Sequence, residues 1–301
     1  MIGSEFYKGQ GLGNQLWVYA AVRAIAIQKG YSFGFLGTEN FKGHDFLDLD
    51  FGVSRSSGTT SGPKARIPEG FNAYLRERQI LHPVTGADIS PLDPEILNVS
   101  DGTFLDGTFQ AEGYFGSLRS EVKTWFNATS ETSNKCLISL RGGEYRGIKE
   151  VFLPKSYYMN AMNVIRDLDP GVEFQIITDD LELAKEYFPG IPATSSGGVK
   201  IFLGRFYFSP SSVKIGRDFK SLQTAKYLIL SNSSFSWWGA YSNLNVEKVV
   251  APKFWARFNT SDGYWSQGDS LTQDWVWLDR KGSLFSTEAC KTELDKYRLI
   301  K

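Results

Sequence analysis

Three turns in the sequence carry residue types that could bind a phosphate group. The first, GQGLGNQL at residues 9–16, lies between a short apolar stretch and a long apolar segment, which predicts a strand, a turn and a helix. Main-chain amides at a helix N-terminus bind anions. Gly11 and Gly13 let the chain approach a ligand closely, and the side-chain amides of Asn14 and Gln15 add polar groups. A tight corner capped by Asn14 is the structural alternative.

The glycine spacing of this turn differs from that of a dinucleotide site. The dinucleotide fingerprint is GxGxxG, with an acidic residue after the second strand. Here the third glycine, Gly13, comes one residue early, and the segment after the second predicted strand lacks a well-placed acid. A nicotinamide-dependent oxidoreductase is therefore the weaker hypothesis, which failure to bind NAD would exclude.

The second turn, SLRGGEY, ends a predicted strand over residues 136–141. An arginine at the carboxyl end of a buried strand lies where open α/β sheets bind ligands. The guanidinium of Arg141 can hold a diphosphate with several donors, while Gly142 and Gly143 permit close approach of the chain. The alternative is a local ion pair between Arg141 and Glu144.

The third turn, SNSSFSWWGA, carries small polar residues from a strand directly into an aromatic helix. The hydroxyls and amides of Ser233, Ser234 and Ser236 predict an anion-binding nest at that helix N-terminus. Trp237 and Trp238 are better explained as core packing beneath the nest than as a sugar-stacking platform.

The elements that position these turns alternate between strands and helices, which predicts an α/β fold with parallel sheets. The 301 residues suit two Rossmann-like lobes, 1–132 and 133–301, joined by a polar linker at 127–135. A capped amphipathic helix beginning at Thr287 is expected to pack back on the body of the protein.

Composition excludes several classes of function. Lysine plus arginine and aspartate plus glutamate number 33 each, so no net charge attracts nucleic acid. No apolar run reaches about 18 residues, so no integral membrane segment is expected. Cys136 and Cys290 are far apart, which argues against a disulfide framework or a zinc site. Without a visible signal peptide, a cytoplasmic protein is expected.

The three turns, in this order and spacing, resemble the motifs of the α1,2-fucosyltransferases, glycosyltransferase family 11. That family reads GxGLGNQL, HxRRGDY and SNSTFSWWGA where this chain reads GQGLGNQL, SLRGGEY and SNSSFSWWGA. The resemblance implies an inverting glycosyltransferase of the GT-B architecture, with two Rossmann-like lobes. It also implies transfer of L-fucose from GDP-β-L-fucose to a glycan acceptor, at the galactose 2-hydroxyl, without a metal or other cofactor.

The resemblance also implies roles for particular residues. Arg141 matches the arginine expected to neutralise the β-phosphate of the departing GDP. The segment Ser233 to Ser236, with Phe235 inside it, is expected to hold the same diphosphate, and Gly11 to Gln15 to close on it from the other lobe. Ser139 takes the place of a nucleotide-facing histidine.

Carboxylates supply two further expectations. In related fucosyltransferases an acid in a TD context after a strand reads guanine, and Asp179 and Asp180 in TDD are similar. Simple helix capping explains these two residues equally well. The acceptor hydroxyl must lose a proton, for which Glu150 is the preferred general base and Glu144 the alternative.

Three departures from the family pattern keep other functions open. Ser139, Gly142 and Glu144 stand where the family has histidine, arginine and aspartate. The alternatives are therefore a transferase that uses another nucleotide sugar, or a catalytically silent glycan-binding protein. The DxD strings at 48–50 and 167–169 are expected to be structural, so no metal site is predicted.

Overall fold

A computed structural model describes residues 1–53, 67–81, 88–89, 91–195, 212–255, 257–259 and 270–299. The chain divides into two compact units. The first comprises Met1–Asn127 with Gln267–Ser270, and the second comprises Ala128–Ser266 with Leu271–Lys301.

The first unit is built on a parallel sheet. Its elements are β1 (Ile2–Glu5), α1 (Leu12–Lys29), β2 (Phe33–Leu36), β3 (Ala73–Arg76), β4 (Ile80–Leu81), β5 (Asp88–Ile89), α2 (Pro94–Leu97), β6 (Thr103–Asp106) and α3 (Arg119–Thr124). Four of the strands pair in the order β2-β1-β6-β3, all parallel, while β4 and β5 form a separate antiparallel pair.

Helix α1 is the centre of the first unit because apolar side chains surround it on most sides. Thirteen of its residues are buried, and its helical geometry stops at Gly30, which adopts the left-handed conformation with φ 68°. The Gly30 amide donates to the main-chain oxygens of Ala26 and Ile27, as expected for a glycine that ends a helix. Aromatic rings fill the space beneath α1, with Phe6 and Phe35 stacked at 4.9 Å between centroids.

The second unit is a larger α/β unit. Its elements are β7 (Ser133–Leu140), α4 (Lys155–Leu168), β8 (Glu173–Thr178), α5 (Leu181–Tyr187), β9 (Ala193–Ser195), α6 (Ser212–Thr224), β10 (Ala225–Ile229), α7 (Ser234–Tyr241), β11 (Lys248–Pro252), β12 (Val276–Leu278), β13 (Leu284–Ser286) and α8 (Thr287–Leu299). The described strands form a seven-stranded sheet in the order β13-β12-β11-β10-β7-β8-β9, parallel except for β13.

The core of the second unit lies on both faces of this sheet. Strands buried on both faces carry continuous β-branched and aliphatic runs, as the segments Cys136–Leu140 and Leu228–Leu230 do. Trp237 and Trp238 in α7 are fully buried, which confirms the core role predicted for them. Helix α8 packs on the β12–β13 end of the sheet, where the Trp277 indole N–H donates to the Thr287 hydroxyl at 3.0 Å.

The α/β class and the two Rossmann-like units are therefore confirmed, with differences in detail. Strand β7 begins at Ser133, so the last three residues of the predicted linker at 127–135 are strand. The segment after β6 predicts a helix that runs to about Phe126, whereas two 3-10 turns precede the short helix α3. The apolar segment VKIFL at 199–203 predicts a strand, and the segment at 52–70, rich in Gly, Ser, Thr and Pro, predicts a surface loop. The first and most of the second lie outside the described residues.

Two findings bear on the cysteines and on membrane insertion. The side chains of Cys136 and Cys290 are both buried, and no disulfide joins them. Among the residues that the structure describes, no helix combines the length and apolar character needed to cross a bilayer.

Candidate functional site

The connectivity of the second unit places a candidate ligand-binding crevice at the carboxyl ends of β7 and β10. After β7 the chain continues to β8 and β9 on one side, and then returns to place β10 and β11 on the other. The crevice lies where the order of the strands reverses, and open α/β sheets bind ligands at that point. The loops that leave β7 and β10 carry SLRGGEY and SNSSFSWWGA, so the fold brings the second and third turns together.

Arg141 is the first residue beyond β7, and three groups hold its side chain. Its Nη1 lies 2.7 Å from Oδ2 of Asp179, and its Nη2 lies 3.2 Å from Oε1 of Glu144. The guanidinium carbon lies 5.0 Å from the centroid of the Tyr145 ring, within cation–π range. The side chain is still 35% exposed, so a cation is presented at the edge of the sheet.

Asp179 and Asp180 follow β8 and are both engaged within the unit. Asp179 accepts hydrogen bonds from the Gly142 amide at 2.8 Å and pairs with Arg141. Asp180 caps α5 by accepting from the Leu183 amide at 2.9 Å, and it accepts from Nε of Arg146 at 2.7 Å. Capping, the alternative to guanine recognition, is therefore confirmed for Asp180.

The side chains of Asp179 and Asp180 leave no room for a side chain at the two glycines after Arg141. A Cβ on Gly142 would lie 2.5 Å from Cβ of Asp180, and a Cβ on Gly143 would lie 2.7 Å from Oδ2 of Asp179. Gly143 also has φ +40°, which side-chain-bearing residues rarely adopt. The arginine that the family pattern has at position 142 therefore has no space in this loop.

Arg146 is a candidate binding residue that sequence reasoning missed. It lies in the 3-10 turn Gly143–Gly147, pairs with Asp180, and approaches Glu186 at 3.6 Å. Its side chain is 42% exposed, so it presents a second guanidinium in the loop that carries Arg141. The only signal in the sequence was that Arg146 comes five residues after Arg141, and this spacing belongs to no motif.

The loop after β10 is held to the loop after β7. The hydroxyls of Ser139 and Ser231 lie 3.1 Å apart on the neighbouring strand ends, and both residues are buried. Ser139 is thus placed at the crevice but is engaged with Ser231 rather than exposed to a ligand. Asn232, which the sequence did not single out as a site residue, donates from Nδ2 to the Val151 oxygen at 2.8 Å.

The serines at the start of α7 follow β10, but the Ser236 hydroxyl predicted to face an anion is instead engaged within the helix. Ser233 is the N-cap residue, with no side-chain hydrogen bond to the helix, and the Ser236 hydroxyl donates to the Ser233 carbonyl at 3.0 Å. Ser236 is fully buried, whereas Ser233, Ser234 and Phe235 are half-buried. The Phe235 ring packs against Phe219, which anchors the first turn of the helix.

The two candidate bases differ in their surroundings. Glu144 is 72% exposed and forms the local ion pair with Arg141 that the sequence offered as an alternative to ligand binding. Glu150 lies later in the same loop and is half-buried. Within the described part of the chain, no hydrogen bond or ion pair to the Glu150 carboxylate is found.

The turn GQGLGNQL lies at the carboxyl edge of the sheet in the first unit. Gly11 is the N-cap of α1, and a Cβ there would meet open space, while Gly13 is buried inside the helix. Asn14 does not cap the helix as predicted; its Oδ1 accepts a hydrogen bond from Nε2 of Gln110 at 3.0 Å.

Gln15 requires a correction to its predicted ligand-facing role. It is fully buried, its Nε2 donates to the Asn40 carbonyl at 2.8 Å, and its Oε1 accepts from the Lys42 amide at 2.9 Å. The physical reason is helical spacing: Gln15 lies on the face of α1 that packs on the sheet, so its amide satisfies the main chain of the segment after β2.

The acidic strings differ from metal sites in their contacts. Asp169 follows the end of α4 and pairs with Lys226 at 3.2 Å, as expected for a structural residue. Asp50 accepts a hydrogen bond from the Gly52 amide at 2.8 Å. Across the described ranges, no group of three or more histidine, cysteine, aspartate or glutamate side chains could hold a metal ion.

Comparison with known proteins gives consistent results. The profile of the family described as Glycosyl transferase family 11 matches residues 120–279, which include both turns of the crevice. An alpha-1,2-colitosyltransferase from Escherichia coli is 25% identical, over 90% of this chain and 97% of that protein. The O-antigen biosynthesis glycosyltransferase WbnK from Escherichia coli is 23% identical, over 81% and 92%.

Among solved structures, the fucosyltransferase NodZ from Bradyrhizobium matches with a TM-score of 0.42 and 12% identity, over 94% of this chain and 97% of that chain. The family profile spans more than half of the chain. The protein therefore belongs to glycosyl transferase family 11 and is a fucosyltransferase-like glycosyltransferase.

Proposed function

We propose that the protein transfers L-fucose from GDP-β-L-fucose to a hydroxyl of a glycan, with inversion at the anomeric carbon. The observation that carries this proposal is the placement of Arg141, a partly exposed guanidinium at the end of β7, the strand next to the one that leads into α7. These groups provide positive charge and amide donors where the leaving diphosphate would bind.

Glycosyl transfer needs positive charge and hydrogen-bond donors beside the leaving diphosphate. The acceptor oxygen bonds to C1 of the sugar while the bond from C1 to the β-phosphate oxygen breaks, so negative charge grows on the GDP. Donors already held in position stabilise that charge more in the transition state than in the ground state. Arg141 is oriented before the donor arrives, because Asp179 and Tyr145 hold its side chain.

The proton of the acceptor hydroxyl passes to a carboxylate, and the structure supports Glu150 over Glu144 for this step. A general base needs oxygens that can reach the substrate. Glu144 already pairs with Arg141, whereas the described residues contain no partner for Glu150. On this proposal, Glu150→Gln lowers kcat much more than it weakens GDP binding.

The sugar and the acceptor form the finer part of the proposal. We propose the 2-hydroxyl of a galactose residue as acceptor, with an α1,2 linkage, because the first and third turns resemble the α1,2-fucosyltransferases. The relative named as an alpha-1,2-colitosyltransferase makes GDP-colitose the second donor to test. Catalysis is proposed to need no metal, because the arginine and the helix terminus supply the charge that a cation would otherwise provide.

Donor binding and turnover test this function together. Thermal stabilisation is measured with GDP, UDP, CMP, ADP and NAD, each with and without EDTA, because a ligand at about 100 times its dissociation constant adds about 2.7 kcal/mol to the folded state. We expect a shift with GDP that EDTA does not change and that Arg141→Ala abolishes. Product formation is then compared for GDP-fucose and GDP-colitose with galactose-terminated acceptors.

Each other outcome has a definite meaning. A shift with UDP but not GDP would contradict the proposed donor. Turnover of GDP-colitose but not GDP-fucose would reassign the sugar while leaving the nucleotide in place. Binding of GDP with no turnover of either donor would contradict the transferase proposal.

A further inference from the structure

We infer that Asp179 is a positioning residue for Arg141, and that it does not read the base of the nucleotide. This inference rests on the proposed function, because it assigns Asp179 a part in holding the donor diphosphate. It also replaces one of the two roles that the sequence left open for Asp179.

The first argument is that each carboxylate oxygen of Asp179 has a donor from the loop after β7. Oδ1 accepts from the Gly142 amide at 2.8 Å, and Oδ2 lies 2.7 Å from Nη1 of Arg141. One side chain thus fixes both the guanidinium and the main chain that carries it. The carboxylate is only 16% exposed, which leaves little of it for a ligand.

The second argument is that the loop is built to fit this carboxylate. Gly143 has φ +40°, and a Cβ there would come within 2.7 Å of Oδ2 of Asp179. The backbone at position 143 therefore takes a conformation that favours glycine, and it leaves no room for a side chain beside Asp179. A side chain that only awaited a purine base would not require this close approach.

The third argument is that the contacts of Arg141 differ in strength. Glu144 is 72% exposed, so its pairing with Arg141 at 3.2 Å is screened by water and can be exchanged for a phosphate. The contact with Asp179 is shorter and better shielded. When a diphosphate binds, Asp179 and the Tyr145 ring keep the guanidinium in place while Nη2 is released from Glu144.

The test uses Asp179→Asn, which keeps an oxygen for the Gly142 amide but removes the charge that holds Arg141. Dissociation constants of the full-length protein are measured by calorimetry for GDP, GMP and IDP. GMP lacks the β-phosphate, whereas IDP lacks the 2-amino group of guanine. The matched control is Asp167→Asn, because Asp167 is an exposed aspartate near the end of α4.

We expect Asp179→Asn to weaken GDP and IDP by the same factor, about tenfold. GMP affinity should change much less, so the preference for GDP over GMP shrinks while the preference for GDP over IDP stays constant. Asp179→Asn should also lower kcat. It should reduce GDP affinity by a smaller factor in the Arg141→Lys protein than in the wild-type protein. Asp167→Asn should change none of these values.

Two results would overturn the inference. If Asp179→Asn abolished the discrimination between GDP and IDP while retaining that between GDP and GMP, Asp179 would read the base. If the variant bound all three nucleotides like the wild type, Asp179 would have no part in the site. If the wild-type protein bound none of the three nucleotides, the proposed function itself would be wrong. A failure of the inference alone differs from that outcome, because the wild-type protein would still bind GDP.

Discussion

Asn232 and Val151 join the two loops of the crevice: Nδ2 of Asn232 donates to the Val151 carbonyl at 2.8 Å. Asn232 follows β10, and Val151 lies at the end of the loop that begins with Arg141. The contact therefore ties the serine-rich turn to the arginine-bearing loop across the strand-order reversal. Asn259 donates to the Lys149 carbonyl at 2.9 Å and holds the same loop from another side.

Asn232→Ala is expected to destabilise the protein and, in addition, to lower the activity of the protein that remains folded. A buried hydrogen bond is lost and the Val151 carbonyl loses its donor, which costs about 1 kcal/mol or more. Denaturant unfolding measures the first effect, and kcat/KM for the donor measures the second. Asn163→Ala, at an exposed position of α4, is the control. Equal kcat/KM in the two variants would contradict a role for this contact in the crevice.

Gly142→Ala and Gly147→Ala place the same methyl group at two positions of one loop with different surroundings. At Gly142 the new Cβ meets the Asp180 side chain at 2.5 Å, whereas at Gly147 nothing lies within 4 Å. We expect Gly142→Ala to lower the free energy of unfolding by about 1–3 kcal/mol and to reduce GDP affinity. Gly147→Ala should stay near wild type. Thermal unfolding with and without GDP compares the two variants. A similar loss of stability in Gly142→Ala and Gly147→Ala would contradict the predicted clash with Asp180.

Gln15→Ala is expected to affect stability rather than ligand binding. The main-chain groups of Asn40 and Lys42 each lose a partner, at about 1–3 kcal/mol per group. Calorimetric GDP affinity of the folded variant should match that of the wild type. Gln28→Ala, exposed on the same helix, should leave both quantities unchanged. Reduced GDP affinity in a stable Gln15→Ala protein would restore the ligand-facing role.

Asp180→Asn is expected to remove a pH-dependent part of the stability. Burial opposes ionisation of Asp180, but hydrogen bonds from Arg146 and the Leu183 amide outweigh it and lower the pKa of the carboxyl from its usual value. The folded state therefore favours the ionised carboxylate, and its stabilising effect is present above about pH 4 and lost as the pH falls through the folded-state pKa. Asparagine retains the cap of α5 but not the charge.

Chemical denaturation of wild type and Asp180→Asn at about pH 7 and about pH 3 measures this difference. The wild type should be more stable at the higher pH, and the advantage should shrink at the lower one. The exposed Asp167→Asn serves as control. An advantage that grew on acidification would show that the carboxylate is held in its protonated form.

The local features of the site were available from the sequence. Alternation of apolar and polar residues, glycine corners and helix caps depend on neighbours within a few positions, so the sequence predicted a strand before each of the three turns. The burial of Trp237 and Trp238 follows from the same local pattern. The three turns, read in order, were also sufficient to indicate the family.

The partners of the polar side chains were decided by tertiary structure. Ser139 meets Ser231 because β10 pairs with β7, although 92 residues separate them in the chain. Asp179 and Asp180 could have faced a base or a helix, and only the pairing of β7 with β8 brings Arg141 and Arg146 to them. Hydrophobic periodicity is encoded locally, whereas the partner of a carboxylate depends on which strands lie side by side, which long-range packing determines.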